Sequence, residues 1–185
     1  RVDATDVREL ARIESPDFFS RPSWSRDGSL VAVSVQSFAG TYHGSVFVVP
    51  TGGGSLTQVG SHVWYAVRDV AWLSPSSLAV IAAEQTEFPN AYQVYAVSYP
   101  GGQVRRLTSG VNNHTGLSAT ADGASLVTVL RAQNATLWVS PPNDLSGGRQ
   151  ITTGQARRDH FPAWTPEGRI VHTAFGNGHE VWIRD

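Results

Sequence analysis

Short apolar runs separated by Gly, Pro, Ser and Asp fill this chain, and no window holds the spacing of an amphipathic helix. Four runs, at 30–35, 78–83, 126–130 and 170–175, are rich in Val, Ile and Leu and too short for a globular helix, so they predict buried strands. A turn precedes each run: Asp27-Gly28, Pro75-Ser76, Asp122-Gly123 and Glu167-Gly168. Three residues before each turn stands Trp24, Trp72, Ala119 or Trp164. The landmark therefore recurs about every 47 residues, the period of a propeller or an array.

The rest of each repeat follows in register. A second short run centred on an aromatic falls at 46–49, 94–97, 137–139 and 181–183. Glycine-rich turns at 52–54, 101–102 and 147–148 then lead into mixed polar and apolar strands at 55–58, 104–108 and 149–152, the composition of an outer edge facing water. The pattern predicts an all-β fold, a β-propeller of four-stranded antiparallel blades in one domain spanning 1–185. Blades are expected at 22–60, 67–110, 114–154 and 158–185. The fourth lacks its outer strand, and the segment 5–13, with Val7, Leu10 and Ala11, resembles that strand, so this blade is expected to be divided between the two ends.

Composition narrows the function classes. A net charge of −1 argues against a nucleic-acid surface, and no apolar run reaches membrane-spanning length. The absence of Cys excludes disulfides, thiol catalysis and Cys-ligated metals. The six His show no HExxH or other close ligand spacing, so neither a metal nor a cofactor is expected. Arg at position 1 gives the expectation of a processed or excised chain.

The segments Pro22-Ser23-Trp24-Ser25-Arg26-Asp27-Gly28 and Pro162-Ala163-Trp164-Thr165-Pro166-Glu167-Gly168 resemble the repeat of TolB-type, WD-like β-propellers. The stretch from Val97 to Gly102, with Arg105-Arg106-Leu107-Thr108 and Leu117 to Gly123, is similar to propellers attached to bacterial serine/threonine kinases and winged-helix regulators. The second copy departs from the motif at Pro75-Ser76 and the third at Ala119. The resemblance implies a sensory or protein-interaction module in a bacterium, with an extracytoplasmic, periplasmic setting favoured. Six or more blades are usual there. A piece that assembles with missing blades or as a homodimer through open blade edges is therefore expected, ahead of closure as a four-bladed ring.

In a blade the fourth-to-first and second-to-third connections share one face, and the Asp-Gly and Gly-Gly turns lie on the other. The turns are alike among the copies and the connections are not, which directs attention to the connections. Arg21, Arg68, Asp69, Asn113, His114, Arg158, Asp159 and His160 precede the landmarks and are expected to converge on a central opening. Trp64 lies outside the repeat beside Tyr65, and the two read either as an exposed pair for gripping a partner or as a lid over the blade edge. The other tryptophans share repeat positions and read as packing between blades. Asp27, Asp122 and Glu167 read as turn residues bonded to their own backbone.

No catalytic set is expected: Arg158, Asp159 and His160 are adjacent in the chain, and neighbours on a strand or loop point different ways. His172 lies in a predicted buried strand and reads as a core residue. The functional expectation is a non-enzymatic recognition or sensor propeller binding a peptide, protein or small ligand. The alternative is the gating propeller of a prolyl-oligopeptidase-like peptidase, whose catalytic domain would be separate, since no Gly-x-Ser-x-Gly elbow occurs.

Overall fold

The computed structural model describes residues 7–14, 17–38, 40–84, 92–110, 112–132, 134–153, 158–175 and 178–185. The chain divides into two compact units, Arg1–Arg131 and Ala132–Asp185.

In the first unit, the opening sheet contains β1 (Phe18–Phe19), β2 (Ser23–Trp24), β3 (Leu30–Ser37), β4 (His43–Pro50) and β5 (Thr57–Gln58), all antiparallel. β1 and β2 both pair with β3, as two pieces of one inner strand. The strand is interrupted at Arg21-Pro22, where proline has no N–H for the ladder. The second sheet runs in the order β6 (Ala66–Ser74), β7 (Ser77–Ala83), β8 (Gln93–Ser98), β9 (Val104–Arg106). β10 (Asn113–Ala119) and β11 (Leu126–Arg131) form a hairpin that completes the unit.

β7 explains why these sheets stack. Six of its seven residues are buried, because both of its faces are covered. Leu78, Val80 and Ala82 join Ala32, Val46 and Val48 of the first sheet in one core, together with Trp64, Val70, Trp72 and Tyr95. Ile81 and Ala83 point the other way, into a second core with Ala66, Tyr92 and Val94, against which Leu117 and Leu126 of the hairpin pack. An unbroken apolar run is the signature of a strand buried on both sides.

Polar bonds fix the spacing of the stacked sheets. Trp72 Nε1 donates to Ser23 O at 3.1 Å, and the Trp72 N–H donates to Ser23 Oγ at 3.2 Å. Gly44 and Trp64 exchange two backbone bonds, at 2.9 and 3.0 Å. The Asp-Gly turn of the hairpin sits on the second sheet so closely that a Cβ at Gly123, whose φ is +72°, would stand 1.8 Å from Leu73 O. Only glycine meets both demands.

The second unit contains β12 (Trp138–Val139) paired with β13 (Arg149–Gln150), and a sheet of β14 (Arg158–Trp164), β15 (Ile170–Phe175) and β16 (His179–Arg184).

Two sequence expectations need correction, besides the layout of the expected third blade, 114–154, whose ladders fall in different units, β10–β11 in the first and β12–β13 in the second. β12 is only two residues long, and Pro141-Pro142 just beyond it remove two successive donors. Of the segment 5–13, residues 5 and 6 lie outside the described residues, and 7–13 carry no strand. Instead Leu10 and Ala11 cover Val31, Val33 and Val49 on the outer face of the first sheet, and the Arg8 guanidinium donates to Thr51 O. Finally, Trp72 is buried between sheets, but Trp24, Trp138 and Trp164 are 61%, 62% and 65% exposed. A shared repeat position buries the ring only where a neighbouring sheet meets it.

The turn carboxylates are occupied by their own backbone. Asp27 Oδ1 accepts from Ser25 Oγ at 2.6 Å and from the Ser29 N–H at 3.1 Å, while Oδ2 accepts from Ser29 Oγ at 2.7 Å. Asp122 repeats this with Thr120 Oγ1 and with the Ala124 N–H at 3.0 Å.

Two outcomes follow from this packing. Trp72→Ala costs about 3 to 5 kcal/mol in urea unfolding, as deletion of a buried indole does, whereas Trp24→Ala costs less than about 1 kcal/mol, as at an exposed position; equal losses would contradict the role given to Trp72. The hydroxyl bonds from Ser25 and Ser29 hold the Asp27 carboxyl down to about 2 from 3.8. The native state thus binds that proton more weakly than the unfolded chain does. The turn's contribution is full above pH 3.8 and is lost as the pH falls toward about 2. Side-chain carboxyl NMR of Asp27 gives a midpoint near 2, and Ser25→Ala raises it.

Candidate functional site

The inner strand of every copy breaks its ladder within four residues before the landmark. The shifts lie between Val67 and Asp69, Thr115 and Leu117, and His160 and Ala163, and the first copy is interrupted around Arg21. Arg21, Asp69, Gly116 and Phe161 each stand three residues before a landmark. Bulges re-aim side chains and are frequent beside functional sites.

In the first unit this position builds a polar bridge. Asp69 is buried, its Oδ1 accepting from the Val70 N–H and its Oδ2 from the Leu117 N–H, both at 3.0 Å. The second bond satisfies an amide beside the bulge at Gly116, whose φ of +69° suits glycine. Arg21, largely exposed, brings Nη1 to 3.6 Å from Asp69 Oδ2. Both residues line a cavity of about 390 Å³ with Trp24, Trp72 and Leu117.

Within the first unit, the other residues expected at this opening lie elsewhere. Asn113 and His114 are buried: Asn113 Oδ1 accepts from the Tyr92 N–H at 2.9 Å, and the His114 N–H donates to Tyr92 O at 2.8 Å. Burial lowers the His114 pKa, so its ring is neutral at pH 7. Both residues hold Tyr92 in place rather than facing solvent. Arg68 is exposed and turns its guanidinium over the Tyr92 ring, 3.7 Å from the centroid.

Trp64 and Tyr65 do not form an exposed pair. Trp64 is fully buried, because its backbone bridge to Gly44 draws the indole into the core between the first two sheets. Tyr65 is half-buried and points the other way, edge-on to Tyr42 at 5.2 Å. Tyr42 in turn lies 4.9 Å from Phe38, and Phe38 lies 6.0 Å from Phe18. Phe18 and Phe38 are 46% and 49% exposed, while Tyr42, Tyr65 and Tyr92 rest on the second core. The result is an aromatic row ending beside a cation.

Phe38, Tyr42 and Tyr92 were missed as site residues by sequence reasoning. Their signal was available: Phe38 and Tyr42 are aromatics in a connection, out of register with the repeat. The Phe38 N–H donates to Asp17 Oδ1 at 3.0 Å, and Ser20 Oγ donates to Arg68 O at 2.8 Å, so the 17–21 connection is tied down at both ends.

In the second unit, Arg158 opens β14, and the next two residues diverge as strand neighbours do. Asp159 is buried, with Oδ1 3.5 Å from His172 Nδ1. Arg184 Nε donates to His172 Nε2 at 3.2 Å. An accepting Nε2 leaves the ring proton on Nδ1, facing the carboxylate. This row spans β14, β15 and β16 inside their sheet. His160 faces Phe175 at 5.0 Å on the opposite side. Phe161, 74% exposed, has φ +49°, a left-handed conformation costly for an aromatic residue. Among the described residues, no group of three His, Asp or Glu is arranged to hold a metal ion.

No protein-family model matches the chain, and no curated protein matches it. Solved structures do. The chain is similar to TolB from Acinetobacter baumannii at 17% identity and a TM-score of 0.51, over 94% of this chain and 42% of that one. It also aligns with a TolB-type protein from Agrobacterium tumefaciens, at 18% identity and a TM-score of 0.46, over 92% of this chain and 78% of that one. An oligogalacturonate lyase from Vibrio parahaemolyticus aligns at 12% identity and a TM-score of 0.48, over 94% and 67% of the two chains. The chain spans less than half the length of the Acinetobacter protein. The similarity to that protein agrees with the repeat, the antiparallel four-stranded sheets and their stacking: the fold is that of a partial, TolB-like β-propeller.

Proposed function

We propose that this chain is a non-enzymatic recognition module that binds a peptide or protein on the face formed by its inter-strand connections. The contrast between its two faces carries this reading. On the turn face, Asp27 and Asp122 spend their oxygens on local serine, threonine and backbone donors. On the connection face, Phe18, Phe38 and Arg68 stand exposed on a foundation of one buried and two half-buried tyrosines. Rigid scaffolds that present such side chains on connections suit binding. The buried Asp159–His172 pair lies inside a sheet, which supports a structural rather than a catalytic role.

A random-peptide display library tests the reading. Enriched peptides shift the amide NMR signals of 17–21, 38–42 and 62–69 and leave those of 27–29 and 122–124 in place. Shifts centred on the turn face, or no enrichment over an unfolded control, would refute it.

Assembly through sheet flanks is a second reading. Trp24 stands 61% exposed at the repeat position where Trp72 docks on an adjacent sheet, and Gly28 of the same turn has open space around it. A further blade on this flank would bury Trp24 as the first sheet buries Trp72. Light scattering of the purified chain gives a mass above the 19.9 kDa monomer, and Trp24→Arg returns it to that value; a monomer at all concentrations sinks this reading.

A further inference from the structure

The row of rings on the connection face has a direction. Phe18 and Phe38, wholly apolar and half exposed, form one end. Tyr42 and Tyr65 follow, adding hydroxyl groups. Arg68 lies at the tyrosine end, stacked on Tyr92 and close enough to Tyr42 for its charge to act on that phenol. Burial and the neighbouring tyrosines raise the Tyr42 pKa, so its hydroxyl remains a hydrogen-bond donor.

Arg68 is anchored without being neutralised. Its guanidinium touches a π-face, and no carboxylate among the described residues forms an ion pair with it. Stacking uses one flat face of the group and leaves its N–H edge for an acceptor, which a carboxylate matches best.

Ring spacing sets the rest of the ligand. The rings succeed one another at 6.0, 4.9 and 5.2 Å and are tilted by 32°, 43° and 72°, so they form furrows rather than a flat platform. Alternate side chains of an extended peptide lie on one face about 6.6 Å apart, close to this step. A sugar ring would need a flat aromatic platform, which rings tilted against one another do not form.

We propose that this row, within the recognition reading above, takes an extended peptide. Apolar side chains at alternate positions fill the Phe18–Phe38 and Phe38–Tyr42 furrows, and an acidic side chain two positions further on meets Arg68. The tyrosine foundation gives the site rigidity, since Tyr42, Tyr65 and Tyr92 are already fixed against the second core before a ligand arrives.

Fluorescence anisotropy of the 185-residue chain with a labelled nine-residue peptide tests the assignment. The peptide has serine at most positions, leucines at two alternate positions and a glutamate two residues after the second. Saturable binding is expected, weakened about tenfold by Phe38→Ala, as for an interface anchor. Replacing the peptide glutamate by glutamine weakens binding about threefold on the native chain, as for an exposed ion pair, and has no effect on Arg68→Gln. Moving the leucines to adjacent positions also weakens binding. Both protein variants keep the native melting temperature, because both side chains are exposed. Absence of saturation at millimolar protein, insensitivity to Phe38→Ala, or a glutamate effect that survives in Arg68→Gln would overturn the assignment, as would displacement by an oligosaccharide of uronic acids. If display-selected peptides bind but respond to Arg21→Ala instead of Phe38→Ala, the recognition reading stands and this site assignment fails.

Discussion

The first unit depends on burying one strand from both sides. β7 offers a nearly continuous apolar surface, with alternate residues directed into opposite cores, and neither core exists without a sheet on that side. Once the first sheet and the β10–β11 hairpin cover it, the spacing is set by a few polar bonds. Trp72 bonds to Ser23, and Asp69 bonds to Leu117. The hydrophobic term drives the stacking, and these bonds specify its register, because a buried amide without a partner costs more than a well-made bond contributes.

The same arrangement separates the two faces chemically. Turns of fixed length return the chain between strands on one face, and their carboxylates are consumed in making the turn. Connections on the other face differ in length and composition, so their aromatic and cationic side chains are free of that duty. The inner-strand bulge adds a second device. At it or beside it stand Arg21, Asp69, Gly116 and Phe161, four residues of unlike chemistry, so a similar backbone irregularity supports different local outcomes.

The aromatic row shows how packing turns a loop into a surface. Tyr42, Tyr65 and Tyr92 come from three connections far apart in sequence, and each rests on the second core. Asn113 and His114 bind the Tyr92 backbone from the hairpin, so residues expected to meet a ligand instead support one that stacks on Arg68. The bulged residue and the one after it differ in fate: Arg68 emerges while Asp69 is buried.

The sequence by itself determined most of the strands, though not the course of 7–13, and the split into turn and connection faces, because these rest on local chemistry: period, β-branched content and the demand of Asp-Gly turns. It also identified Asp27, Asp122 and His172 as structural, from their places before a glycine or inside an apolar run. Only the tertiary structure decided which repeat positions are buried. Trp72 and Trp24 occupy the same place in the repeat, yet one is packed and the other open, since burial depends on a neighbouring sheet rather than on the residue. For the same reason Trp64 lies in the core, and the candidate site formed around Arg68 and Tyr42 instead: long-range stacking chooses which side of a strand faces water, and no local pattern records that choice.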